Sequence, residues 1–290
     1  MSNDKINALL NAKNEITDKR ISLHEKTLSY ISELSEILID EADEDEIFFR
    51  DAGFISRYRA LTEQKRDKTV APFNEADINT LERQLTEAEK ALLCLRLTDI
   101  LGILGIEGVE TFFDEPPKTL GENVSTVKSR GADDAYIAFA SSMAEPRVSY
   151  VHDLNEVCEN VLYGKTAYGI LPLSGAKALL LKYGLKTAKR VKIKNQDGTY
   201  TTYSLIKREL NMPKDAESIY FELAVKTNDP SALIIASEVC SMELANMNYS
   251  SEDETLTASF KISESDFCGF LSYLSLNYPD YIPLGIYEEI

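Results

Sequence analysis

The chain has 290 residues, of which 44% are hydrophobic, and its 48 acidic and 31 basic residues give a formal net charge of −17. This length suits about two or three domains of roughly 100–150 residues each. The acidic balance disfavours binding to the phosphate backbone of a nucleic acid. No apolar run reaches the roughly 18–20 residues that span a bilayer, and the N-terminus lacks a signal-peptide core. We therefore expect a cytoplasmic protein with no nucleic-acid or membrane partner.

Cysteine and histidine give no sign of a metal or redox site. The four cysteines are far apart and form no CxxC pair, so they are interpreted as reduced, buried thiols. The two histidines lie outside any metal-binding frame such as HExxH. We therefore expect neither a metal nor another cofactor.

The first 105 residues follow helical periodicity. A helix is predicted from about 4 to 39, a second from about 46 to 66, and a third that begins after a capping signal at Asn74 and Asp77 and ends near 103. Short connections predict an antiparallel bundle over 1–105. Residues 106–133, with a Pro-Pro pair at 116–117, are predicted to be a linker. The apolar stripe of the first helix consists of Ile6, Leu9, Leu10, Ile16, Leu23, Leu28, Ile31, Leu34 and Leu38.

The next segment, 134–210, alternates between strand and helix patterns. Strands are predicted over 135–140, 147–151, 167–173, 187–194 and 199–207, the last two joined by a turn at 195–198. Helices are predicted after Asp153 and Ser174. This alternation indicates an α/β lobe with a largely parallel sheet. Residues 216–290 then give the order β-α-β-β-α-β, which is the ferredoxin-like split βαβ arrangement. The chain is thus predicted to be an α+β and α/β multidomain protein.

Five segments in this C-terminal half resemble the prephenate dehydratase family with its ACT domain. Residues 154–173 (LNEVCENVLYGKTAYGILPL) are similar to a helix-Gly-strand unit of the dehydratase domain. Residues 178–185 (ALLLKYGL) are similar to its AAELYGL step, and residues 198–206 (GTYTTYSLI) stand where the family has NYTRFLVL. Residues 227–233 (TNDPSAL) resemble the xPGAL entry to the first ACT helix, and residues 282–287 (IPLGIY) the closing VLGSYP strand. The resemblance covers about residues 135–290.

The resemblance implies a fold and an activity. It implies an α/β lobe of the periplasmic-binding-like type, and conversion of prephenate to phenylpyruvate by decarboxylation and dehydration. It also implies an ACT domain that senses phenylalanine, commonly across a dimer. Thr201 matches the family's catalytic threonine, whose hydroxyl assists loss of the substrate hydroxyl. The helical N-terminus invites comparison with the chorismate mutase of bifunctional members, whose cationic set we do not find. Arg50, Arg57 and Arg59 could form a basic face, but solvated helix charges are the simpler interpretation.

Several departures from the family pattern bear on the chemistry. Thr202 replaces the family's arginine, which removes a bidentate carboxylate clamp that only arginine supplies. The family's GPxGTFS opening and its ENS sequence are absent, and there are too few residues before Thr201 for two complete lobes. In the ACT-like segment, Ser231 replaces a glycine that lets a ligand approach the helix N-terminus closely.

The candidate ligand site is therefore the start of this ACT-like helix. Backbone amides there favour a carboxylate, and the residues concerned are Asn228, Asp229, Ser231 and Ala232. Ordinary helix capping is the simpler interpretation of the same residues. We also expect a homodimer through the ACT-like domain, 216–290, because its sheet would otherwise leave apolar strand positions exposed. The residues offered for this interface are Phe221, Leu223, Leu256, Ala258 and Phe260.

The sequence leaves three hypotheses. The first is a divergent, non-catalytic prephenate dehydratase-like protein that binds a small amino acid or carboxylate through its ACT domain. The second is an active prephenate dehydratase, a carbon–oxygen lyase of phenylalanine biosynthesis, with or without chorismate mutase-like helices before it. The third is a helical interaction protein whose ACT-like half is structural. The loss of the arginine at 202 separates the first hypothesis from the second.

Overall fold

The computed structural model describes residues 3–40, 51–63, 85–104, 113–114, 122–213, 218–227, 229–250, 254–262 and 266–290. The chain divides into two compact units, Met1–Gly108 and Val109–Ile290. None of the described helices is long and apolar enough to cross a membrane.

The first unit contains three described helices, α1 (Asn3–Asp40), α2 (Ala52–Glu63) and α3 (Glu87–Leu104). Local capping explains where two of them begin. Asp51 accepts a hydrogen bond from the Phe54 amide at 2.8 Å. Thr86 and Glu89 form a reciprocal capping box, in which each side chain accepts from the other's backbone amide. The helical prediction for this region is confirmed for its described parts.

Among the stripe residues of α1 whose side chains the structure describes, those near the C-terminal end of the helix are buried. Ile31, Leu34 and Leu38 are buried, whereas Leu23 is 48% exposed and Leu28 is 43% exposed. At 1.5 Å per residue, α1 is about 57 Å long, while α2 and α3 span about 18 and 27 Å. The two described shorter helices therefore cannot cover the full length of α1. Leu23 and Leu28 of the predicted stripe are accordingly exposed.

The second unit is built on one sheet. Its described residues form five helices and nine strands. The helices are α4 (Arg130–Ala140), α5 (Leu154–Leu162), α6 (Leu173–Tyr183), α7 (Ser231–Val239) and α8 (Phe267–Asn277). The strands are β1 (Asn123–Val127), β2 (Arg147–Val151), β3 (Tyr168–Pro172), β4 (Lys186–Lys194), β5 (Tyr200–Lys207), β6 (Ile219–Lys226), β7 (Glu243–Ser250), β8 (Thr255–Lys261) and β9 (Ile282–Glu289).

The nine strands lie in the order β2-β1-β3-β5-β4-β9-β6-β8-β7. The pairs β1–β2, β1–β3 and β4–β9 are parallel, and the other five pairs are antiparallel. The sheet is therefore mixed, and the prediction of a largely parallel sheet was wrong. The hairpin of β4 and β5 is the cause, because it places two adjacent strands in opposite directions.

One predicted strand is a helix. Residues 135–140 belong to α4, which begins where the Ser129 hydroxyl accepts a hydrogen bond from the Ala132 amide at 3.2 Å. Ala132, Ala135 and Phe139 are buried at helical spacing against the sheet. The apolar run 135–140 therefore has the periodicity of a helix and not that of the predicted strand. The segment predicted as a linker, 106–133, contains β1, which pairs with both β2 and β3.

The C-terminal part follows the predicted order β6-α7-β7-β8-α8-β9. Its strands are arranged β9-β6-β8-β7, and Phe267 and Phe270 of α8 pack edge-on against Phe221 and Phe260. The five residues offered for a dimer interface are therefore buried inside this single chain. At the edge of the sheet stands β7 instead, where Tyr249 is 46% exposed.

Candidate functional site

Thr201 and Thr202 lie side by side on β5 and point to opposite faces of the sheet, as successive strand residues do. Thr201 pairs with Ile193 of β4, and Thr202 pairs with Lys192. The Thr201 hydroxyl accepts a hydrogen bond from the side-chain amide of Asn195 at 2.9 Å. Thr201 is half-buried, and its hydroxyl is held in one orientation by the β4–β5 turn.

A groove of about 380 Å³ opens beside this hydrogen bond. It runs between the first turn of α4 and the end of β4. This is the carboxyl edge of the parallel strands, where open α/β sheets commonly bind ligands. Its lining is polar and charged: Arg130, Gly131, Asp134, Ile193, Lys194, Asn195, Gln196 and Asp197.

The cations of this groove are poorly suited to clamp a carboxylate. Arg130 is largely exposed and lies 4.0 Å from its ion-pair partner Asp134, and such surface pairs are weak. Lys194 is also exposed. Among the described residues that line the groove, no buried arginine faces Thr201. The described lining can therefore present side-chain amides to a ligand, but no bidentate cation held in place.

The start of α7 is capped by the chain itself. The Asp229 carboxylate accepts hydrogen bonds from the Ser231 amide at 2.9 Å and from the Ser231 hydroxyl at 2.5 Å. These bonds from Ser231 hold the pKa of Asp229 below its ordinary value. A ligand carboxylate at this helix start would have to displace Asp229 from the Ser231 amide. Asn228, predicted for the same site, lies outside the described residues.

The structure does not bring the two predicted sites together. β4 and β9 are parallel, while β6 runs antiparallel to β9. The end of β6, which leads to Ser231, therefore lies at the opposite edge of the sheet from the end of β4, where Thr201 pairs. A strand of eight residues spans about 26 Å, so Thr201 and Ser231 cannot contact one ligand.

Sequence reasoning missed two polar groups. Asn195 was read only as a turn residue, although its side chain binds both Thr199 and Thr201 at 2.9 Å. Arg190 was read as an ordinary strand residue, yet it is 8% exposed and contacts Glu222 and Tyr287. The sequence does not show which groups these two side chains contact. The partner Tyr287, for example, lies 97 positions from Arg190.

The predicted basic face of the helical unit is incompletely described. Arg57 is half-buried and Arg59 is exposed, while Arg50 lies outside the described residues. Within the described ranges, no three His, Cys, Asp or Glu side chains are grouped so that they could hold a metal ion.

Comparison with known proteins gives matches to solved structures alone. No protein-family profile matches the chain. No curated protein matches it. The chain is similar to a prephenate dehydratase from Streptococcus mutans, with 16% identity and a TM-score of 0.43 over 58% of this chain and 98% of that one. It is similar to a prephenate dehydratase from Arthrobacter aurescens in complex with L-Phe, with 9% identity and a TM-score of 0.45 over 57% and 90% of the two chains. GqqA, described as a quorum-quenching acylase, is also similar, with 16% identity and a TM-score of 0.44 over 57% and 94%.

Proposed function

We propose that this chain is a divergent prephenate dehydratase-like protein that has lost the dehydratase reaction and binds a small amino acid or related carboxylate. The observation that carries the proposal is the pair Thr201 and Thr202. Thr201 retains a hydroxyl that is hydrogen-bonded to Asn195 of the groove lining, whereas Thr202 stands where the resemblance requires an arginine. A threonine cannot form two parallel hydrogen bonds to a carboxylate and carries no charge. Prephenate has two carboxylates, so both its binding and its orientation would suffer.

The C-terminal part is proposed to be an ACT domain. Its element order and its strand order β9-β6-β8-β7 are those of a ferredoxin-like split βαβ unit. The segment 227–233, which resembles the ACT entry to the first helix, leads directly into α7. Any ligand of this domain is proposed to bind at Asp229, Ser231 and Ala232, together with Asn228. The proposed homodimer would form through the exposed edge strand β7.

A structural role for the ACT-like part is the second candidate. One observation favours it, namely that the Asp229 carboxylate already accepts the hydrogen bond from the Ser231 amide. Helix starts that are capped by their own side chain offer a ligand fewer donors.

Calorimetry with phenylalanine, tyrosine and tryptophan separates the two candidates. A sensing domain predicts binding of at least one of them, and loss of that binding in Ser231→Trp. Glu238→Trp, at an exposed position on the same helix, is the control and should bind normally. If none of the three amino acids binds below millimolar concentration, the sensing role fails and the structural role stands.

A further inference from the structure

A second cavity of about 150 Å³ lies in the α/β part of the second unit, away from both sites described above. It lies near the beginning of β1 and β3 and the end of β5. Lys207 lies six positions along β5 from Thr201, or about 20 Å. The cavity is lined by groups that could hold a polar ligand: Glu122, Ser142, Tyr168, Lys189, Lys207 and Glu288.

Two of these charges neutralise each other. Lys189 forms an ion pair with Glu288 and also donates a hydrogen bond to the Ser142 hydroxyl at 2.9 Å. This pair forms part of the cavity wall and needs no ligand. The remaining charged groups of the lining are Lys207 and Glu122.

Lys207 is held by a neutral hydrogen-bond partner and not by a contact ion pair. Its ammonium donates a hydrogen bond to the neutral side-chain amide of Asn211, and it forms no ion pair within the described part of the chain. Its cross-strand partner is another cation, Lys186, which donates to the Pro283 carbonyl at 2.6 Å. Burial lowers the pKa of Lys207, against the opposing influence of Glu209 and Asp114. A carboxylate in direct contact with this partly buried ammonium would add a charged hydrogen bond that the more distant Glu209 and Asp114 do not supply.

Glu122 offers a carboxylate oxygen to the same cavity. Its Oε2 atom accepts hydrogen bonds from the backbone amides of Ala144 and Glu145, whereas Oε1 has no hydrogen-bond partner among the described residues. Glu122 immediately precedes β1, and Lys207 ends β5, with β3 between them. Two strand spacings separate them by about 10 Å. Among the described residues the two side chains form no ion pair with each other, and both line the cavity, so one small molecule can contact both.

We propose that this cavity binds a small α-amino acid as its zwitterion, with the carboxylate on Lys207 and the ammonium on Glu122. The size of the cavity sets the class of ligand. Protein cavities of about 150 Å³ accommodate benzene, which has about six non-hydrogen atoms. Glycine, alanine and serine are of this size, whereas phenylalanine is about twice as large. The proposal does not depend on ligand binding at the start of α7.

The test is a calorimetric titration of the full chain with alanine, in parallel with pyruvate and ethylamine. Pyruvate lacks the ammonium and ethylamine lacks the carboxylate. Alanine is expected to bind, and each of the two half-ligands is expected to bind at least about tenfold more weakly, which is the loss of one charged hydrogen bond. Phenylalanine in excess should not displace alanine.

Variants locate the site. Lys207→Met and Glu122→Gln should each weaken alanine binding by about tenfold or more. Lys192→Met, at an exposed lysine of β4, is the matched control and should bind alanine like the unmodified chain. Lys207→Met should remain folded, because methionine keeps an unbranched side chain and removes a partly buried ammonium that forms no contact ion pair, and circular dichroism checks this. Absence of alanine binding, or alanine binding unchanged in both variants, would overturn the proposal. Loss of binding in Ser231→Trp instead would assign the amino acid to α7 and likewise overturn it, while supporting the proposed sensing role.

Discussion

The buried Arg190 of β4 forms an ion pair with the half-buried Glu222 of β6, across the intervening strand β9. The same guanidinium donates a hydrogen bond to the Tyr287 hydroxyl of β9 at 2.6 Å and lies 4.1 Å from the centre of the Tyr287 ring. One side chain from each of three adjacent strands thus joins the α/β part of the sheet to the C-terminal part. Burial raises the pKa of Tyr287, so its hydroxyl stays protonated.

Removing Glu222 should therefore destabilise the fold strongly. Glu222→Ala leaves the buried Arg190 cation without its partner, which typically costs roughly 3–5 kcal/mol of unfolding free energy. Urea unfolding followed by circular dichroism measures the change. Glu238→Ala, at an exposed position of α7, is the control and should change the stability by less than about 0.5 kcal/mol. Equal effects of the two substitutions would show that the ion pair contributes nothing.

Gly285 should tolerate no side chain. It lies where β9 pairs with β4, and a Cβ atom added there would approach the backbone nitrogen of Thr187 to 2.6 Å. Gly285→Ala should therefore cost more than about 2 kcal/mol, since the two strands would have to separate. Gly175→Ala in α6, where no atom lies within 4 Å of the added Cβ, should instead stabilise the protein by about 0.5–1 kcal/mol. Destabilisation by both, measured by urea unfolding, would contradict this account of the strand contact.

Asp229 should titrate below its ordinary pKa in the folded protein. The bonds from Ser231 favour its charged form, so its contribution to stability is present above the unfolded pKa and is lost as the pH falls through the folded value. NMR titration of the carboxyl carbon below about pH 5 measures this. Ser231→Ala should raise the pKa of Asp229, because it removes one donor. Thr227→Ala leaves both donors to the carboxylate in place and should alter that pKa less. An ordinary pKa in the unmodified chain would show that the cap does not form in solution.

The proposed dimer should depend on β7. Multi-angle light scattering at micromolar concentration should give twice the chain mass of 32.5 kDa. Replacing Leu244 and Tyr249 by lysine places charges on the exposed edge strand and should yield monomers. Tyr200→Lys changes a more exposed aromatic on β5 and should leave the dimer intact. A monomeric mass for the unmodified chain would refute the dimer itself.

Most elements of the second unit could be predicted from the sequence because their periodicity and turns are local. The hairpin of β4 and β5 and the order of the last six elements depend on turn residues and alternation alone. Residues 135–140 were different, since six apolar or small residues in a row fit a buried strand as well as a helix. Ser129 caps the helix that contains these residues. The cap could be recognised from the sequence only if β1, which ends just before it, were recognised too, and β1 lies in a segment with an irregular pattern.

The candidate sites show the limit of such reasoning. Thr201 and Ser231 were identified through the resemblance. They lie far apart because β4 runs parallel to β9 whereas β6 runs antiparallel to it, and no motif encodes these directions. The position of Lys207 opposite Lys186 is likewise invisible in the sequence, because it follows from the register of β4 and β5. The buried Arg190 could not be distinguished from the surface lysines beside it, since its partners come from two distant strands.

The central claim, that the dehydratase reaction has been lost, is tested most directly by incubating the purified full chain with prephenate and measuring phenylpyruvate. Prephenate loses water and carbon dioxide spontaneously in acid, so the assay is run at neutral pH against a protein-free control. The account predicts no formation of phenylpyruvate above that control, because threonine at position 202 supplies neither the charge nor the paired hydrogen bonds that an arginine gives to a carboxylate. Turnover above the control that disappears in Thr201→Ala would contradict the account and identify an active dehydratase.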